Sequence, residues 1–110
     1  MFADYRVPQI LHHLRLLTYA PALVRKLRAR ELFVSGEARE ELAIRAASIV
    51  AVERVAAALR TTDGAGSCSS VLIDFFLWDL AKKIEGGEDR IEGVKTQTML
   101  PMHRTRCIWY

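Results

Sequence analysis

The stretch Val71-Leu72-Ile73-Asp74-Phe75-Phe76-Leu77-Trp78-Asp79-Leu80-Ala81-Lys82-Lys83 decides how the chain is read. It has helix length and no proline or glycine, and Asp74, Asp79 and Lys82 are the main interruptions of a surface that is apolar most of the way round. A helix of that kind must be covered on several sides, so it belongs inside a helical domain. Ser69 or Ser70 caps it, at the end of a loop by composition that runs from Thr61 to Ser70.

Upstream the pattern stays helical. From Ser35, a good N-cap with Glu37, Glu40 and Glu41 behind it, nothing breaks a helix before Arg60. Its expected apolar stripe is Leu42, Ala46, Ile49, Val52, Ala56 and Leu59. Glu53 falls on that stripe, and Glu41 with Arg45, four apart, is expected as a surface pair. Pro8 fits the first turn of a helix carrying Ile10, Leu11, Leu14 and Leu17. Pro21 opens another with Leu23, Val24 and Leu27 on one face and Arg25, Lys26 and Arg28 near its end. Joined through Thr18-Tyr19-Ala20, these two predict a tight helical hairpin. Glu85 to Met99 reads as irregular. The final residues, Pro101 to Tyr110, finish in Ile-Trp-Tyr, which predicts docking against the helices as an extended strip. The expected fold class is all-α, a helical bundle with an extended C-terminal tail, in one domain spanning residues 1–110.

Composition bounds the function. Of 110 residues 51% are hydrophobic and 26% charged, which excludes disorder. No stretch reaches the length of a membrane span, since the apolar run Leu16 to Val24 is broken by Pro21. The first residues lack a signal-peptide pattern, so a cytoplasmic location is expected. The net charge is +3, with twelve of sixteen basic residues arginine but scattered, so charge alone makes no case for nucleic acid. Cys68 and Cys107 lack CxxC spacing and read as reduced thiols. The absence of asparagine excludes N-glycosylation.

Generic catalytic motifs are missing. Gly64-Ala65-Gly66 follows no strand and makes no phosphate loop, and His12 and His13, adjacent on a helix, point about 100° apart and cannot share a metal. Asp4 precedes the proline-started helix beside Tyr5 and Arg6, with Gln9 one turn on. Two readings stand: a helix cap with a salt bridge, or a carboxylate held at a helix entrance beside an aromatic ring and an amide. The second suits recognition of a heterocyclic base or stabilisation of positive charge on a sugar. Glu53, Asp74 and Asp79 are read as structural, paired with arginine. His103, Arg104 and Arg106 are either a phosphate-holding cluster or the partners of Glu53 and Asp74 that bind the tail to the core, the latter being preferred.

Four blocks, in order, resemble the queuosine salvage family, the queuosine 5'-phosphate N-glycosylases/hydrolases. Phe2-Ala3-Asp4-Tyr5-Arg6-Val7-Pro8-Gln9 is similar to its FADYRVPQ signature. Glu41 to Arg45 with Ala47 to Glu53 resembles its EIRG-SIWAVE helix, with Ala46 and Val50 in place of its glycine and tryptophan. Ile73 to Asp79 resembles IDFYLWD, and His103 to Tyr110 resembles HRTRCIYY. The resemblance implies hydrolysis of the N-glycosidic bond of queuosine 5'-phosphate, with release of queuine for transfer RNA modification. It implies Asp4 as catalytic aspartate, Tyr5 and Gln9 in the queuine pocket, no metal or other cofactor, and an all-helical fold similar to DNA glycosylases. Family members are longer. The chain is therefore expected to be a C-terminal part, either truncated or partnered by a separately encoded N-terminal part. The alternatives are an inactive helical module that binds a protein through Val71 to Lys83, and a small RNA-binding domain.

Overall fold

A computed structural model describes residues 4–33, 39–62, 68–87 and 93–105. The order of elements is α1 (Arg6–His13), α2 (Pro21–Arg28), β1 (Leu32–Phe33), α3 (Arg39–Arg60), α4 (Ser70–Glu85) and β2 (Arg104–Thr105). The fold is all-α, with one short parallel pair in which Leu32 stands opposite Arg104 and Phe33 opposite Thr105.

The boundaries follow local chemistry. Pro21 is the first residue of α2, where its missing N–H costs nothing. At the head of α4 the Ser69 hydroxyl accepts from the Leu72 N–H at 3.3 Å. α1 and α2 end in the same motif. The Arg15 N–H donates to His12 O and the Leu16 N–H to Leu11 O, each at 2.9 Å. The Arg30 and Glu31 N–H groups repeat this pattern toward Leu27 O and Lys26 O. The turn residue must then be left-handed, and φ is 65° at Arg15 and 56° at Arg30, where glycine is the usual occupant. The Arg15 turn stops α1 at His13, ahead of Leu14 and Leu17.

α1, α3 and α4 pack on one another around Val7, Ile10, Leu11, Val52, Ala56, Ile73, Leu77, Ala81 and Ile84. A second apolar cluster joins Leu27 of α2, Phe33 of β1, Ile44 of α3 and Leu100 of the tail, flanked by Tyr19, Leu23 and Val24. α1 thus packs with α3 and α4, not against α2 as a hairpin. The link to the α2 side is Tyr19, which stacks on His12 at 4.5 Å and donates its hydroxyl to Pro8 O at 3.2 Å. Burial pushes the Tyr19 phenol up from its ordinary range, so it stays a donor at physiological pH.

The helix faces depart from the sequence pattern. On α3 the inward residues are Glu41, Ile44, Ser48, Val52 and Ala56, whereas Leu42, Ala46 and Ile49 face outward and Glu53 is exposed. Both stripes have helical spacing, and the inward one was disguised by Glu41 and Ser48. Ser48 is accommodated by donating to Arg45 O at 2.7 Å. The Glu41–Arg45 pair forms at 2.7 Å, but with Glu41 buried and Arg45 half-buried rather than on the surface. Among the described residues, α4 is buried along one side, through Ile73, Asp74, Leu77, Ala81 and Ile84. Ser35 and Glu37, the Gly64–Gly66 segment, and Arg106 to Tyr110 lie outside the described residues.

The tail docks as a non-helical strip through residue 105. The Gln97 N–H and side-chain amide donate to His13 O at 3.0 Å and His12 O at 2.5 Å, satisfying carbonyls at the end of α1. The side-chain amide of Gln9 donates to Leu100 O at 2.9 Å, and Leu100 and His103 are buried. The expected pairing of His103, Arg104 and Arg106 with Glu53 and Asp74 rests in part on Arg106, which lies outside the described residues. Among the described residues, Glu41, Arg45 and Asp4 are the charged groups that act on His103, while Arg104 donates to Arg30 O at 3.2 Å.

Because a left-handed backbone disfavours a side chain by roughly 1–2 kcal/mol, Arg15→Gly and Arg30→Gly should each raise stability, by about 0.5–1 kcal/mol after glycine's extra unfolded-state entropy. Urea unfolding of the two variants checks this; a loss of stability in both would contradict the reading.

Candidate functional site

Asp4 is built in by the start of α1. One carboxylate oxygen, Oδ1, accepts from the N–H groups of Arg6 and Val7, each at 2.9 Å. These are among the helix's orphan donors, so the cap reading of Asp4 holds. The other oxygen, Oδ2, accepts from the indole Nε1–H of Trp78 on α4. Three donors thus fix both oxygens and tie the entrance of α1 to the middle of α4.

Trp78 is the hub of the surrounding side chains. The Arg6 guanidinium lies 4.7 Å from its ring centroid and the Lys82 ammonium 5.2 Å, both within cation–π reach. Tyr5 meets the indole edge-on, with ring centroids 6.1 Å apart at 66°. The Arg6 guanidinium pairs with Glu85 of α4 at 2.7 Å, so the salt bridge beside the cap is made by Arg6 to α4 and not by Asp4.

A cleft of about 400 Å³ opens against this arrangement, lined by Asp4, Asp74, Phe75, Trp78, Asp79 and Lys82. The five α4 residues are spaced i, i+1, i+4, i+5 and i+8, one face of one helix. Asp74 is buried at its base and Asp79 is exposed. A cleft that combines three carboxylates, two aromatic rings and one ammonium can hold a polar ring by stacking, and its acidic side suits a ligand atom that gains positive charge.

The residues predicted from sequence divide. Asp4 lies on this cleft. Tyr5 packs on Trp78, and with Gln9, Leu100 and His103 it borders a void of about 10 Å³, too narrow for a ligand. Gln9 also borders a separate hollow of about 850 Å³ with His13, Arg30, Glu85 and residues 96–101. Asp74 and Asp79, read as structural, are brought to the same cleft as Asp4. Phe75, Trp78 and Lys82 were not read as site residues. The signal was present in the helical spacing of residues 74, 75, 78, 79 and 82, but an apolar helix draws attention to its core face.

The family model described as queuosine salvage protein matches residues 1–110. A protein of Sphaerobacter thermophilus named queuosine 5'-phosphate N-glycosylase/hydrolase is 42% identical over 109 residues, 99% of this chain and 29% of its own length. Proteins of the same name from Mus musculus and Schizosaccharomyces pombe are 43% and 36% identical, covering all of this chain and 31% and 30% of their own lengths. This chain belongs to the queuosine salvage protein family. It spans about three-tenths of the length of the curated relatives it matches. Among the described residues no helix is long and apolar enough to cross a membrane.

His103 and His12 carry a pH signature. Burial, outweighing the neighbouring Glu41 and Asp4, holds His103 below its ordinary value of 6.5, and burial with the adjacent His13 does the same for His12. The unfolded chain therefore takes up protons first as pH falls. The stabilisation is complete above about pH 6.5 and is lost as pH drops from there toward the folded values. Stability should fall between about pH 7.5 and about pH 5.5, and the fall should be shallower in His103→Gln; an equal slope in both proteins, measured by urea unfolding, would count against it.

Proposed function

We propose that this chain supplies the Asp4 side of a site that hydrolyses the N-glycosidic bond of queuosine 5'-phosphate, releasing queuine for reuse in transfer RNA modification. The observation that carries the reading is the Asp4 carboxylate, fixed by three donors at the edge of a cleft with aromatic and acidic walls. The names of the relatives supply the substrate class. The setting is cytoplasmic.

The chemistry follows from what a carboxylate does beside a sugar. As the bond between the anomeric carbon and the base nitrogen lengthens, positive charge develops on the sugar ring. A carboxylate beside that carbon stabilises the charge, or attacks the carbon to form an ester that water then cleaves. Water delivers its oxygen to the anomeric carbon, and one proton leaves with the base. Fixed hydrogen bonds mean Asp4 need not reorient at the moment of reaction, which is the source of the rate advantage. Tyr5 and Gln9 are assigned to the queuine pocket. Against the geometry above, this requires Tyr5 to act through the edge of Trp78 and Gln9 to approach the base from its own side of α1. The catalytic power depends on the remainder of the family fold, since groups that act together give little when separated.

In the smallest protein that releases queuine from queuosine 5'-phosphate and contains this chain, Asp4→Asn should lower kcat by about two to four orders of magnitude, the range for losing a transition-state electrostatic partner. Chromatographic assay of free queuine checks it. Full activity in the asparagine variant would remove Asp4 from the chemistry.

A further inference from the structure

α4 carries apolar side chains on two sides. Ile73, Leu77, Ala81 and Ile84 are buried in the core. On another side Val71, Leu72, Phe75 and Phe76 form a stripe of helical spacing that faces outward, with Leu72 57%, Phe75 59% and Phe76 64% exposed. Two phenylalanines and a leucine on adjacent turns make the kind of contiguous patch that marks an interaction surface. Phe75 also belongs to the cleft at Asp4, so whatever covers the stripe forms a further wall of that cleft.

The matched relatives are longer than the part that this chain matches. They devote about seven-tenths of their length to parts of the fold outside this match. A part that completes the site must reach Asp4, and Phe75 leads from the Asp4 cleft onto the stripe.

We propose that Val71, Leu72, Phe75 and Phe76 form the docking face for the part of the family fold that lies outside this chain's match, and that this part closes the Asp4 cleft over Phe75. The proposal rests on family membership and on the site reading, and it is separable from the hydrolytic activity. A second copy of this chain, pairing stripe to stripe, is the rival occupant.

The test compares this chain alone with a chimera in which it replaces the matching part of the Sphaerobacter thermophilus relative. Phe76→Cys is introduced into both, with Ala22→Cys on exposed α2 as reference, and maleimide labelling is read by peptide mass spectrometry. Relative to Ala22→Cys, labelling at Phe76→Cys should slow at least about tenfold on going from this chain to the chimera. Phe76→Glu should leave the thermal midpoint of this chain alone unlowered and lower that of the chimera. Equal labelling in the two proteins overturns the proposal. So does a mass in light scattering that doubles for this chain alone and returns to the monomer in Phe76→Glu, because a second copy then covers the stripe. Queuine release by the chimera is scored separately: protection without release sinks the hydrolytic reading and leaves the docking face standing, whereas release without protection sinks the docking face.

Discussion

The Asp4 carboxylate stands between two helices that the chain places about seventy residues apart. With one oxygen it completes the first turn of α1, and with the other it accepts the Trp78 indole proton from α4. Arg6 repeats the connection one step on, resting on the Trp78 ring and pairing with Glu85. The apolar seam beneath, Val7, Ile10 and Leu11 against Ile73, Leu77 and Ala81, supplies non-directional attraction, and the polar joint sets the orientation. A carboxylate so placed is at once a cap, a tie and an acidic group held in place on the cleft, so the two readings of Asp4 describe one arrangement.

The tail extends this logic to the far side of α1. Gln97 closes the helix end, Leu100 accepts from Gln9, and Leu100 enters the second apolar cluster beside Ile44 and Phe33. Those contacts let β2 lie parallel to β1 although the two are more than seventy residues apart in sequence. α1, only eight residues long, is therefore bound at its start by α4 and at its end by the tail. Isolated, a helix that short would be marginal in water.

Much of this was legible in the sequence because proline, serine and helical spacing act locally. Pro21 and Ser69 mark the starts of α2 and α4, and the absence of breakers marks α3 as far as Arg60. What could not be read is which of two possible faces turns inward. On α3, Leu42 and Ile49 outrank Glu41 and Ser48 in hydrophobicity, yet the latter pair face in, because Glu41 binds Arg45 and Ser48 satisfies itself on Arg45 O. Nor does spacing reveal that Arg15 adopts a glycine-like turn, since the hydrogen bonds that hold it form only when α1 ends. The cleft was half visible: Asp4 drew attention by its position, whereas Asp74, Phe75, Trp78, Asp79 and Lys82 share a face that matters only once α1 is laid across it.

The account depends on Asp4 and Trp78 acting as one unit, and a double-mutant cycle on stability measures that directly. Asp4→Ala, Trp78→Phe and the double variant would be unfolded in urea beside the parent chain, which cancels the separate costs of the lost cap and the smaller ring. A coupling of roughly 1–3 kcal/mol is predicted, the range for a hydrogen bond to a charged group. A coupling near zero would mean that the carboxylate and the indole are neighbours without dependence, and the joint between α1 and α4 would have to be sought in the apolar seam alone.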